Sequence, residues 1–203
     1  MTIWAIVPVK PLRRGKSRLA GMLTEDQRDR LNRHLLEHIL TTLNEVPEIE
    51  HTLVVSRDPA ALALTREMGG RTVLEDGAPQ FNTALKRATI VSQAHGAHAV
   101  LVLPADLPLI DSRDVHKILR RGKHAPTVVI VPDRRKDGTN GLFVNPAGMI
   151  EYGYGPGSFQ RHCERATQAG ARLEIIELAS IALDLDLPED LEHLGGMDAL
   201  NIT

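Results

Sequence analysis

The chain has 203 residues, 42% of them hydrophobic, a formal net charge of −2 and a single cysteine, Cys163. That length suits one domain over residues 1–203, burying roughly 70% of its unfolded surface without disulfides or a structural metal. The near-neutral charge excludes a global attraction to nucleic acid or an anionic membrane, so any anion site must be a local gathering of cations.

In chain order, the first expected element is a buried strand over 3–9, a continuous apolar run that is too short for a signal peptide or a membrane span. With the lone cysteine, it fits a reducing cytoplasm. An amphipathic helix follows over 24–44, capped by Thr24, with Leu31, Leu35, Leu36, Ile39, Leu40 and Leu43 on one face. Strands are then expected at 52–56 and 71–74, with a helix over 59–68 capped by Asp58 between them, and a further helix over 82–94. The strand expected at 99–103 precedes a helix that Asp111 or Ser112 would cap. After strands at 127–131 and 141–144 come a helix over 158–169, a strand at 173–178 and a terminal helix opened by Pro188. Continuous apolar strands alternating with amphipathic helices imply an α/β fold with a mostly parallel sheet covered on both faces.

Four stretches carry chemistry. The strand at 3–9 runs straight into Lys10, Arg13, Arg14, Lys16 and Arg18, a loop shaped by Pro11 and Gly15. Ligands of open α/β sheets bind outside the carboxyl ends of the strands, so this loop suits a polyanion such as a triphosphate. It is not a Walker A loop, because Lys10 stands where that motif needs its first glycine, and no strand is followed by G-x-G-x-x-G. Phosphate must therefore be held by side chains.

The strand at 99–103 ends in Asp106, fixed between Pro104 and Pro108, where a carboxylate suits Mg²⁺ bridging nucleotide phosphates. In Leu183-Asp184-Leu185-Asp186 the two aspartates share one face of an extended segment, which makes them the other metal candidates. Glu189 and Asp190 are accounted for as capping and dipole residues. Finally, Asp137-Gly138-Thr139-Asn140 and the glycine-rich 153–157 segment before Ser158 suggest a second anion pocket made of helix-start amides and a hydroxyl. The scattered histidines, including His34 and His38 at helical spacing, read as ordinary core or surface residues.

At these residues the chain resembles the family of 2-phospho-L-lactate and phosphoenolpyruvate guanylyltransferases. The likeness rests on Pro8-Val9-Lys10 with Gly15-Lys16-Ser17-Arg18, Leu103-Pro104-Ala105-Asp106, Asp137 to Asn140, Gly157-Ser158-Phe159 with His162, and Leu183 to Asp186. It implies a three-layer, Rossmann-like (MobA-like) nucleotidyltransferase fold and transfer of GMP from GTP to a phosphorylated three-carbon acid in coenzyme F(420) assembly. The acceptor would be phosphoenolpyruvate, 2-phospholactate or 3-phosphoglycerate. By resemblance, Thr139, Gly155 and Ser158 would hold that acceptor, while Asp106, Asp184 and Asp186 would hold one or two Mg²⁺ ions. Asn82 would touch the nucleoside, although Phe81-Asn82 replaces a glycine-led motif there.

Lys10, Arg13, Lys16 and Arg18 then become the triphosphate ligands, with Lys16 and Asp106 central to catalysis. An acceptor phosphate is already anionic at neutral pH, so no general base is needed. A molybdenum-cofactor or sugar-phosphate nucleotidyltransferase is the alternative on the same fold, and a non-catalytic GTP-binding module a more distant one. Leucines left exposed on the 24–44 helix would support a homodimer.

Overall fold

In the computed structural model, which describes residues 1–76 and 80–196, every strand joins a single sheet. The strands are β1 (Ile3–Val9), β2 (Ile49–Ser56), β3 (Arg71–Leu74), β4 (Ala99–Val102), β5 (Thr127–Pro132), β6 (Thr139–Asn145) and β7 (Arg172–Ile175). Their order is β3-β2-β1-β4-β6-β5-β7. Only β6 runs against its neighbours, pairing antiparallel with β4 and β5, so the sheet is mixed and mostly parallel as expected.

The helices are α1 (Glu25–Asn44), α2 (Pro59–Glu67), α3 (Phe81–Ala94), α4 (Ser112–Arg121), α5 (Ser158–Gln168), α6 (Ala179–Ala182) and α7 (Pro188–His193). Alternate strand residues feed two cores, because successive side chains point to opposite faces. Ala5, Val7 and Leu101 face Leu36, Ile39 and Ile118, placing α1, α2, α4 and α6 on one side. Trp4, Ile6 and Val100 face the other side, with Leu85 of α3 and Ala166 of α5. Three layers result.

Local sequence rules account for the helix starts. Thr24 and Gln27 form the reciprocal capping box of α1. Asp58 caps α2 ahead of Pro59, and Asp111, rather than Ser112, caps α4. Two expectations need correction. The α1 leucines are not exposed: Leu31, Leu35, Leu36, Ile39, Leu40 and Leu43 are all 2% exposed or less, buried against the sheet and the C-terminal segment, so the argument for a homodimer from that face loses its basis. The expected strand at 173–178 ends at Ile175, after which the chain turns into α6, a helix that sequence patterning did not reveal.

A small third core does the most to position the site. Leu19 and Leu23 after the basic loop, Leu31 and Leu35 of α1, and Leu185 and Leu191 near the C-terminus form one buried cluster. Burying each such side chain stabilises by about 2 kcal/mol. This cluster clamps the basic loop beside the 183–186 segment. Among the described residues no helix is long and apolar enough to cross a membrane.

Candidate active site

The strand order reverses between β1 and β4, the switch point at which open α/β sheets bind ligands. β1 pairs with β4 only as far as Ile6 and Val102, yet stays with β2 to Val9 and Ser56. The two central strands therefore part at their carboxyl ends and leave a crevice. Lys10, Gly15, Lys16, Pro104, Asp106 and Asp186 line it.

The basic loop is pinned at Leu12 from both sides. Its amide donates to Asp58 Oδ2 at 2.7 Å, and its carbonyl accepts from Asn32 Nδ2 at 2.6 Å. Gly15 is required by that clamp, because a Cβ there would lie 2.8 Å from Asn32 Nδ2. Gly15→Ala should displace Asn32 and forfeit its hydrogen bond, a loss of about 1 kcal/mol. The expected result is a several-fold weaker hold on a triphosphate ligand with turnover little changed. In an Asn32→Ala background the same change should cost almost nothing, which paired triphosphate titrations would check.

Lys16 follows in the left-handed backbone region, at φ 55°. That turn sends its ammonium inward, where Nζ stands 3.0 Å from Asp106 Oδ2 and 3.0 Å from Asp186 Oδ1. Its side chain is 6% exposed. Burial works against its charge, but the two carboxylates outweigh burial and raise its pKa above the ordinary lysine value. Asp186 is the mirror case: burial favours its neutral form, yet Lys16, Lys10 and Arg18 together hold its carboxyl below the usual range. Arg18 lies 3.9 Å from Asp186. The structure does not bring Arg13 into this cluster; exposed, it pairs with Glu25 and Asp26 at the start of α1.

The 183–186 segment alternates as its sequence suggests, with Leu183 and Leu185 buried and Asp184 and Asp186 half-buried. The Leu185 amide donates to the Asp106 carbonyl at 2.9 Å, which brings the three aspartates to one edge. Burial, and then the like charge of Asp106, raise the pKa of Asp184, against the pull of its hydrogen bond from Asn140. Asp190 closes the segment, its Oδ2 accepting from the Asp186 and Leu187 amides, in keeping with a capping role.

Whether these acids fit a divalent cation is decided by what they lack. Asp106 Oδ1 is buried without a hydrogen-bond partner, and Asp184 Oδ1 accepts from Asn140 Nδ2 at 3.2 Å. Among the described residues no group of three or more His, Cys, Asp or Glu side chains is gathered to hold a metal. The orphaned Asp106 oxygen is the observation that leaves room for a cation, and Mg²⁺ would need no more than one or two carboxylates, completing its shell with water and phosphate oxygens.

The downstream elements form a second constellation. Thr139 on β6 and Ser158 at the start of α5 are both buried, with Ser158 Oγ 3.4 Å from Thr139 Oγ1. The expected pocket of helix-start amides is not free. Asp137 takes the Gly157 amide with its carboxylate and the Phe159 amide with its carbonyl, and the Ser158 amide donates to Gly155. Of the three residues named for the acceptor, Thr139 and Ser158 are buried and Gly155, at φ 122°, is exposed. Asn82 bonds the backbone of Tyr154 twice, Tyr154 N to its Oδ1 at 2.8 Å and its Nδ2 to the carbonyl at 3.1 Å, so it docks the glycine-rich loop on α3. Two contributors escaped sequence reasoning. Asn140 Nδ2 holds Asp184 together with the Ile181 and Ala182 carbonyls, and His162 bonds Thr139 and Gly153. Their only signal was membership of the quoted motifs.

At the switch point an ammonium thus joins two carboxylates, with a third carboxylate beside them. A family model described as "Guanylyl transferase CofC like" matches residues 3–197. The chain belongs to that family. This CofC-like chain is 40% identical over 194 residues to the phosphoenolpyruvate guanylyltransferase of Rubrobacter xylanophilus, covering 96% of this chain and 94% of that one. It is 35% identical over 200 residues to the phosphoenolpyruvate guanylyltransferase of Sphaerobacter thermophilus, covering 97% and 94% of the two chains. Its fold is that of a nucleotidyl transferase from Methanothermobacter, with a TM-score of 0.69 at 16% identity over 98% of each chain. The CofC-like protein is thus a nucleotidyltransferase, and the reading as a non-catalytic module falls away.

Proposed function

We propose that this protein transfers GMP from GTP to phosphoenolpyruvate and releases pyrophosphate, a step that would serve coenzyme F(420) assembly. The observation that carries the reading is the Lys16 ammonium joining Asp106 and Asp186 at the β1–β4 crevice, in a chain whose relatives bear that name.

A phosphate oxygen of the acceptor attacks the α-phosphorus, and the bond from that phosphorus to the bridging oxygen of pyrophosphate breaks. No proton need be removed, because the attacking oxygen is already anionic. Lys16, Lys10 and Arg18 hold the triphosphate and meet the charge that grows on the leaving pyrophosphate. Asp106, with Asp184 and Asp186, would hold Mg²⁺, which supplies a Lewis acid that neutralises phosphate charge. Thr139, Gly155 and Ser158 would hold the acceptor, and holding both reactants in line supplies much of the rate.

The test incubates the protein with Mg²⁺, GTP or ATP, and phosphoenolpyruvate, 2-phospholactate or 3-phosphoglycerate in turn, following pyrophosphate. Release is expected with GTP and phosphoenolpyruvate. Preference for another acceptor would move the assignment within the family, and release without any acceptor would replace transfer by hydrolysis.

A further inference from the structure

His162 is fully buried on α5 with both ring nitrogens engaged. The Gly153 amide lies 3.0 Å from Nε2, and a backbone amide can only donate, so Nε2 carries no proton. The ring is therefore neutral and its proton sits on Nδ1, which donates to Thr139 Oγ1 at 2.9 Å. Burial first, then Arg165 and Arg161, lowers the ring's pKa to about 4, so this state persists at neutral pH. Tyr154 packs against the ring in a T-shaped contact with centroids 4.9 Å apart. Ser158 Oγ donates to the same threonine oxygen at 3.4 Å. A hydroxyl oxygen that accepts from both neighbours keeps one thing to offer, its own proton.

We infer that His162 is a positioning residue that fixes the Thr139 hydroxyl as a hydrogen-bond donor to the anionic acceptor. The inference rests on the proposed placing of the acceptor at Thr139 and Ser158. Polarity runs one way along the chain of bonds, from the Gly153 amide through the imidazole to Thr139, and it ends in a donor. Such an end takes a carboxylate or phosphate oxygen and refuses an amide N–H or a cation. The same ring ties the glycine-rich loop to α5, so one side chain sets both the loop's place and the hydroxyl's direction.

The two bonds can be separated. Asparagine places an amide nitrogen near the position of Nδ1 and keeps the donor to Thr139, whereas glutamine places its oxygen near Nε2 and keeps only the acceptor for Gly153. Steady-state constants are measured for the native chain, His162→Asn, His162→Gln, Thr139→Val and the His162→Gln/Thr139→Val pair, each with a melting curve. His162→Gln should raise the KM for phosphoenolpyruvate at least tenfold while the KM for GTP stays within twofold. His162→Asn should recover most of that loss, and the double variant should be no worse than Thr139→Val alone. Equal rises in both KM values, an unchanged KM for phosphoenolpyruvate in His162→Gln, or full additivity in the double variant would overturn the inference. Should His162→Gln not fold, Thr139→Val decides: a selective rise in KM for phosphoenolpyruvate supports the inference and its absence overturns it. A native chain that turns over GTP with no acceptor tried removes the proposed function before any variant is compared.

Discussion

Replacing Lys16 with alanine is expected to lower turnover by far more than tenfold, on the order of a hundredfold, while the fold survives. Its ammonium is within 3.0 Å of two carboxylates from different parts of the chain, 90 and 170 residues away. No other described cation bonds both. Its backbone sits at φ 55°, a conformation that costs a non-glycine residue about 1 kcal/mol, so the surrounding structure sustains some strain to aim this side chain. Alanine would leave Asp106 and Asp186 without their shared partner and the departing pyrophosphate without its nearest charge. Lys16→Gly separates the ammonium from the backbone, because glycine accepts the left-handed turn at no cost. Equal losses in the two variants would assign the effect to the missing charge. Near-normal kcat in Lys16→Ala, measured by pyrophosphate release, would sink the role given to this residue.

Asp106→Asn should be of similar size, with a different signature. The exchange keeps the shape of the side chain and leaves the backbone carbonyl that accepts from Leu185 in place. It removes one charge from an oxygen pair in which Oδ1 is buried and unpartnered and Oδ2 meets Lys16. If Asp106 holds Mg²⁺, turnover falls by two to three orders of magnitude, roughly the effect of deleting one strong electrostatic contact to a transition state. The Mg²⁺ concentration giving half-maximal rate should also move upward. A variant with native kcat across the whole Mg²⁺ titration would exclude Asp106 as a ligand. Thermal melting should change little, since the leucine cluster beside the site is untouched.

Both predictions began from residues legible in one dimension. The apolar run of β1 breaking into Lys10 to Arg18, the aspartate between prolines after β4, and the period-two alternation at 183–186 all survive in three dimensions. So do the caps at Thr24 and Asp58, because a cap is an interaction between residues two or three apart. Asp58 has a second task that no local rule contains, since its other oxygen holds the basic loop at Leu12.

The readings that changed depended on what lies across the fold. Arg13 stands in the same charge run as Lys16, yet it faces Glu25 and Asp26, because the turn at Lys16 sends one cation inward and leaves the other outside. Leu31 and Leu35 of α1 could not be assigned to an inner or an outer face until Leu185 and Leu191 came back to cover them. The amides at the start of α5 look like an anion pocket until Asp137, 20 residues earlier, is seen to take the Gly157 N–H. His162 was legible only as a member of a quoted motif and not by its task, because a histidine's role is set by what its two nitrogens meet.

By itself the sequence determined the alternation of strands and helices, the three aspartates and the loop of cations, for these follow from periodicity and from turn chemistry between near neighbours. Only the tertiary structure decided that β6 is reversed, that Lys16 alone among the loop's cations bonds both Asp106 and Asp186, and that Thr139 is governed by His162. Those choices depend on strand order and side-chain direction among residues far apart in the chain, and such contacts exist only once the core has closed.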